Sequence, residues 1–179
     1  MDAALERLER GSFGLCETCH DAIEPERLAA DPLLRFCLDH LSPAQQADLQ
    51  RDLELAGRIQ TALLPQRETV LPGWDVHYVY RPAGAVSGDT CDVWPEGQGG
   101  FQLLLGDVAG KGVAASLLMA NLQAAFRALA LSELPLGERV ARANHLFCEA
   151  TLPSSYATLV AARGAAGGDV ELVNAGHCP

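Results

Sequence analysis

The sequence predicts an α+β fold with a mainly antiparallel sheet, preceded by a small cysteine-bearing module and a linker helix. Three observations carry this reading. Past residue 65 the elements run strand, strand, helix, helix, strand, strand, an order that favours separate layers of sheet and helix over alternating crossovers. A serine-proline start opens a long helix over 42–63. Ahead of it, two close pairs, Cys16 with Cys19 and Cys37 with His40, tie residues 12–41 together.

Length and charge bound the possibilities. At 179 residues the chain holds one ordinary domain plus a small module. A net charge of −10 argues against a nucleic-acid partner, because such surfaces are basic, whereas acidic clusters suit divalent cations. The first eleven residues are charged and lack an apolar core of signal-peptide length. The longest apolar-rich stretch, 113–131, is broken by Asn121, Gln123 and Arg127, so it reads as a buried helix and not a membrane span. A cytoplasmic chain is therefore expected, in which six cysteines serve as metal ligands more readily than as disulfides.

Each element has its local signal. Residues 2–10 read as a helix stopped by Gly11. Ser42-Pro43-Ala44-Gln45 combines an N-cap serine, proline at the first helical position and glutamine three residues on. Pro65 stops this helix, along which Leu49, Leu53, Ala56 and Leu63 share one stripe. Such a stripe pairs with a second copy, giving a homodimer, or packs on its own domain. Trp74, Val76, Tyr78 and Tyr80 alternate as in a strand, and 101–105 is a continuous apolar run that reads as a buried strand. A glycine-rich turn, 106–112, leads to helices over 113–131 and 136–151. Strands over 156–162 and 170–173, joined by the turn 164–169, make a hairpin.

Cys16-x2-Cys19 and Cys37-x2-His40, seventeen residues apart, supply two knuckles and four donors for a tetrahedral structural Zn2+. Buried thiols are the bland alternative. Cys16-Glu17-Thr18-Cys19-His20 also spells a haem attachment motif, but that needs export and leaves Cys37 and His40 unexplained. His20 is an alternative fourth ligand at poorer spacing than His40. Over residues 4–40 the stretch ALERLERGSFGLCETCHDAIEPERLAADPLLRFCLDH resembles the zinc finger of DksA/TraR proteins, with His40 where that family usually has cysteine. Those proteins reach RNA polymerase through a long coiled coil with no counterpart ahead of the finger. The resemblance therefore implies a structural or partner-docking finger, and a DksA-like transcription factor is the weaker reading.

Asp107 closes the apolar run Leu103-Leu104-Leu105, a costly place for an unpaired carboxylate unless it caps the following turn. Asp89 follows Gly88, and Asp92 comes three residues later. Carboxylates beside glycines suit an oxygen-ligand metal site, and the glycines of 106–112 let a backbone carbonyl approach as a further donor. Lys111 could attract phosphate or simply be solvated at a helix start; GxxxxGK[ST] is not matched.

AGRIQTALLP, YRPAGAVSGDTCD, LLLGDVAGKGVAASLLMA, SYATLV and NAGHCP occur in the order and spacing of SpoIIE/RsbU-like PPM phosphatases, covering 53–179. The resemblance implies a PPM-like antiparallel β-sandwich flanked by helices. It implies that Asp107 bridges two Mn2+ or Mg2+ ions, that the Val108 carbonyl binds one, and that Asp89 contributes directly or through water. It further implies hydrolysis of phosphoserine or phosphothreonine on a protein, by family likeness a STAS-type anti-anti-sigma factor in bacterial partner switching. Ser87 and Cys91 stand where the family has glycine and an aromatic residue. The role of Asn174-Ala175-Gly176-His177 is open, a turn beside the site being the bland reading. Cys91, Cys148 and Cys178 lack partner spacing, and Cys148 is expected in the core. Since the family carries further metal-binding aspartates past NAGH, an incomplete sandwich and little activity are expected of this chain; a non-catalytic zinc-finger regulator is the alternative. The expected division is finger 1–41, linker helix 42–64 and phosphatase-like segment 65–179.

Overall fold

Gly11, at a backbone φ of +69°, ends the first helix, α1 (Asp2–Glu9), in a conformation that glycine adopts without strain. The computed structural model describes residues 2–71, 73–97 and 99–177; Cys178 lies outside them. Two compact units emerge, Met1–Asp52 and Leu53–Pro179. In the first, α2 (Pro25–Ala30) and a 3-10 turn (Leu38–His40) surround a minimal core of Cys16, Ile23 and Cys37, with Cys19, Leu28 and Phe36 against it.

The long helix α3 (Pro43–Leu63) starts on its capping box. The Gln45 N–H donates to Ser42 Oγ (3.3 Å), and the Ser42 N–H donates back to Gln45 Oε1 (3.1 Å). The division between units falls inside this helix.

In the second unit, β1 (Glu68–Leu71) and β2 (Trp74–His77) form an antiparallel pair. Four further strands, β3 (Asp89–Glu96), β4 (Gly100–Val108), β5 (Ala157–Gly164) and β6 (Val170–Ala175), pair in sequence order, all antiparallel. Between β4 and β5 run α4 (Gly112–Ala130) and α5 (Leu136–Glu149). Ala115, Met119, Leu122 and Phe126 of α4, with Leu136, Val140, Ala143 and Phe147 of α5, close a core on Leu104, Val108, Leu159 and Ala161. By length and composition α4 could cross a membrane, but this apolar face is committed to the core.

The opposite sheet face carries Phe101, Leu105, Asp107, Thr158 and Leu172, because side chains alternate along a strand. The β1–β2 pair reaches this face: the Trp74 ring meets Phe101 edge-on at 4.9 Å, and its Nε1 donates to the Ala165 carbonyl. The Phe101 ring lies against Gly164, where any Cβ would sit 2.1 Å from it.

Two sequence expectations are corrected here. Cys148 is exposed on α5 and not in the core. Asp92 does not join the other aspartates. It is fully buried on the helix side, where Arg127 of α4 grips both its oxygens (2.6 and 2.7 Å) and Gln123 Nε2 donates to Oδ2 (2.9 Å). The carboxylate in turn raises Arg127 above the ordinary guanidinium range, and Trp94 lies under the cation at 5.5 Å. Arg127→Leu strands a buried carboxylate, with Gln123 as its remaining donor. We expect a loss of about 3 kcal/mol, the low end for breaking a buried pair because Arg127 is itself half exposed. Urea unfolding followed by tryptophan fluorescence measures it; an unchanged midpoint contradicts this account of β3.

Candidate metal centres

Four soft donors meet in the first unit. The knuckle at Cys16 is a tight loop: Leu15 bridges Ala22, the Cys16 N–H donates to the Asp21 carbonyl (2.8 Å), and the His20 N–H donates to the Cys16 carbonyl (2.9 Å). The second knuckle places Cys37 before the 3-10 turn, with the His40 N–H donating to its carbonyl (3.0 Å). Glu17 ties the two together through the Arg35 carbonyl and guanidinium (2.9 and 2.7 Å), with Arg7 also donating (3.2 Å). Those cations hold the Glu17 carboxyl below the usual range, the Arg35 hydrogen bond leading.

The ligand atoms of Cys16, Cys19, Cys37 and His40 all lie within 4.8 Å of one another. Cys19 Sγ and Cys37 Sγ are 3.8 Å apart, and Cys37 Sγ lies 3.3 Å from His40 Nδ1. A tetrahedron with Zn–S near 2.3 Å separates its sulfurs by about 3.8 Å, so this donor set fits zinc. Burial acts to raise the Cys16 thiol, yet N–H groups of Cys19, Cys37 and Thr18 outweigh it and bring it down to about 6. His20 stays outside the cluster.

The second unit gathers oxygen donors. Asp89 and Asp107 are direct register partners across β3 and β4, and both are exposed. Directly opposed residues share a face with Cβ atoms roughly 5 Å apart, and two like charges there oppose the pairing unless a cation lies between them. The pair borders a cleft of about 550 Å³ with Ser87, Gly88, Gly110, Lys111 and Gly112, at the N-terminus of α4. That end has no side-chain cap, so its first-turn N–H groups lack a side-chain acceptor and its partial positive charge lies beside the cleft that Gly112 lines. Lys111 is exposed at the N-cap position. Gly88 lies directly against the Val108 carbonyl, 2.5 Å from where a Cβ would stand, and its own carbonyl accepts from the Val108 N–H (3.2 Å). Asp107 projects into the open on the face away from buried Val108, so it escapes the cost that its apolar neighbours implied. Carboxylates and backbone carbonyls are hard donors of the kind that divalent ions take. Among the described residues no third carboxylate joins the pair.

Gln60, Tyr80 and Thr158, not singled out as site residues from sequence, complete the surroundings together with Ser87. Gln60 of α3 is buried and brackets the Ser87 backbone: its Nε2 donates to the Ser87 carbonyl (2.6 Å), and its Oε1 accepts from the Ser87 N–H (2.9 Å). Ser87 Oγ donates to Asp89 Oδ2 (2.6 Å). Burial pushes the Tyr80 phenol up, the Ser87 hydroxyl beside it working the other way and Asp89 adding to the rise. Thr158 stands opposite Asp107 on β5, and its Oγ1 lies 2.8 Å from His177 Nδ1. Asn174 fixes that histidine by accepting from its N–H (2.9 Å) and donating to its carbonyl (3.2 Å). The NAGH turn thus holds the hydroxyl next in line to the acidic pair. His177 and Asp89 also line one cavity of about 430 Å³, with buried Cys91 in its wall. Burial holds the Cys91 thiol up at about 11.

The second unit is thus an α+β domain with an antiparallel sheet backed by two helices and an acidic pair on its other face, and the first unit gathers a Cys3His cluster suited to zinc. Comparison with known proteins agrees. Residues 97–179 match the stage II sporulation protein E (SpoIIE) family, and residues 11–39 match the prokaryotic dksA/traR C4-type zinc finger. The SiaA-PP2C domain of Pseudomonas aeruginosa shares the fold, with a TM-score of 0.58 and 17% identity over 78% of this chain and 66% of that one. Protein IcfG of Synechocystis sp. is 31% identical over 99 residues, 55% of this chain and 16% of IcfG. An uncharacterised protein of Aquifex aeolicus is 46% identical over 37 residues, 21% of this chain and 26% of that protein. Residues 11–39 are thus similar to a dksA/traR-type finger and residues 97–179 to the SpoIIE family, the fold is that of a PP2C domain, and the chain spans under a third of either of these two relatives.

Proposed function

We propose that the second unit is a divalent-metal-dependent protein phosphatase domain acting on phosphoserine or phosphothreonine. The observation that carries this reading is the register of Asp89 against Asp107 at the mouth of a glycine-lined cleft. Asp89, Asp107 and the Val108 carbonyl would hold Mn2+ or Mg2+, as the resemblance to PPM phosphatases implies for two such ions. When bound, the metal supplies a lowered water pKa and offsets charge on the phosphoryl group. The chain's own contribution is placement. The α4 N-terminus and Lys111 attract the phosphoryl oxygens, while Ser87 and the β3–β4 ladder hold the carboxylates.

A phosphorylated STAS-type anti-anti-sigma factor is the proposed substrate, in the cytoplasm, with the finger binding zinc as a structural or docking module. The Ser42-capped helix is the proposed route to a homodimer. A non-catalytic reading draws support from the absence of a third carboxylate among the described residues. Phosphate release from a phosphoserine peptide by the zinc-loaded chain separates the two. Slow release that depends on Mn2+ and disappears in Asp107→Asn supports the phosphatase. Saturable Mn2+ uptake with no release supports the non-catalytic module.

A further inference from the structure

Ser87 is bound on two sides. Its backbone is clamped by the buried Gln60 amide, donor to carbonyl and acceptor from N–H. Its hydroxyl donates to Asp89 Oδ2 and accepts from the Asp89 N–H (3.1 Å). The helix carrying Gln60 has little freedom to shift locally. Gly57, one turn earlier, stands where any Cβ would lie 2.5 Å from the Ala85 carbonyl, and Gln123 Nε2 holds the helix end through the Leu63 carbonyl (2.8 Å). A carboxylate with one oxygen already accepting from a fixed hydroxyl presents the other in a defined direction, which is how hydrogen-bond partners orient metal ligands.

We propose that Gln60 and Ser87 are positioning residues for Asp89: the α3 amide fixes the Ser87 backbone, and the Ser87 hydroxyl sets which Asp89 oxygen faces the cleft. This rests on the metal reading of the acidic pair for its functional consequence, but the geometry itself can be read without metal.

The test uses the zinc-loaded 179-residue chain and two readouts. The first is Mn2+ titration by calorimetry. Ser87→Ala and Gln60→Leu are expected to weaken uptake by about 10-fold, the usual scale for removing a ligand's hydrogen-bond partner, while Ser87→Thr, which keeps the hydroxyl, recovers most of it. The second is the Asp89 13Cγ chemical shift at neutral pH without metal. It should move in Ser87→Ala and Gln60→Leu and return in Ser87→Thr. An Asp89 signal indifferent to both substitutions overturns the proposal, as does undiminished Mn2+ uptake in both. If the parent chain takes up no Mn2+, the metal reading of the pair falls, and the 13Cγ shift still decides whether Gln60 and Ser87 position Asp89. Zinc content and circular dichroism check that each variant is folded.

Discussion

Chelation of zinc, or Cys37→Ser, is expected to dissolve the structure of residues 11–41. The finger's own core is three buried residues, two of them cysteines that the metal would hold. Apolar burial on that scale cannot offset the chain entropy lost on folding. Zinc binding to such modules is worth about 10–16 kcal/mol at neutral pH, so metal affinity is folding free energy here. Removing one thiolate also leaves Cys19 and His40 without a tetrahedral partner at the second knuckle. The ion pairs of Glu17 with Arg35 and Arg7 survive chelation in principle, but they lie at a partly exposed surface and contribute little alone. Metal analysis should find one zinc per chain. Amide exchange in residues 11–41 should pass from protected to unprotected on chelation. A chain purified without zinc, or a finger equally protected after its removal, contradicts this account.

Most helices were legible because their signals are local. Ser42 and Gln45 form the capping box that their spacing implies. The core stripe of α4 follows from its 3.6-residue period. The strand β3 was not legible: Asp89-Thr90-Cys91-Asp92-Val93-Trp94-Pro95 has no clean alternation and contains proline. Its position explains both, since β3 is the edge of the four-stranded sheet, where a missing N–H is tolerated. Without β3 as a strand, Asp89 and Asp92 read as companions. Three residues apart on a strand, they point to opposite faces, one to the cleft and the other to Arg127.

Gln60 left a signal that was passed over. The stripe Leu49, Leu53, Ala56, Leu63 skips a position, and the residue filling it four after Ala56 is this glutamine. A lone polar residue in an apolar seam has a buried partner more often than not, and here that partner is the Ser87 backbone. The pairing of Asp89 with Asp107 had no local signal. Register between strands is a long-range property, set by which faces are buried.

Asp107→Asn is expected to have opposite effects on metal binding and on the metal-free fold. Two like charges directly opposed across a ladder disfavour that pairing, so neutralising one should slightly stabilise the metal-free chain. The same change removes a hard anionic donor from a site with one other carboxylate among the described residues, and Mn2+ uptake should fall by at least about 100-fold, the upper range for lesser changes around metal ligands. A trade of this kind marks a functional site, because a purely structural aspartate loses stability when neutralised. In thermal melts, Mn2+ at 100 times the parent's dissociation constant should stabilise the parent domain by about 2.7 kcal/mol and the variant by no more than about 0.4 kcal/mol. The most direct measurement is calorimetric titration of Mn2+ into the zinc-loaded chain, parent against Asp107→Asn. The account predicts saturable uptake by the parent and uptake at least about 100-fold weaker by the variant. Equal uptake by both, or none by the parent, contradicts the assignment of Asp89 and Asp107 as a metal centre.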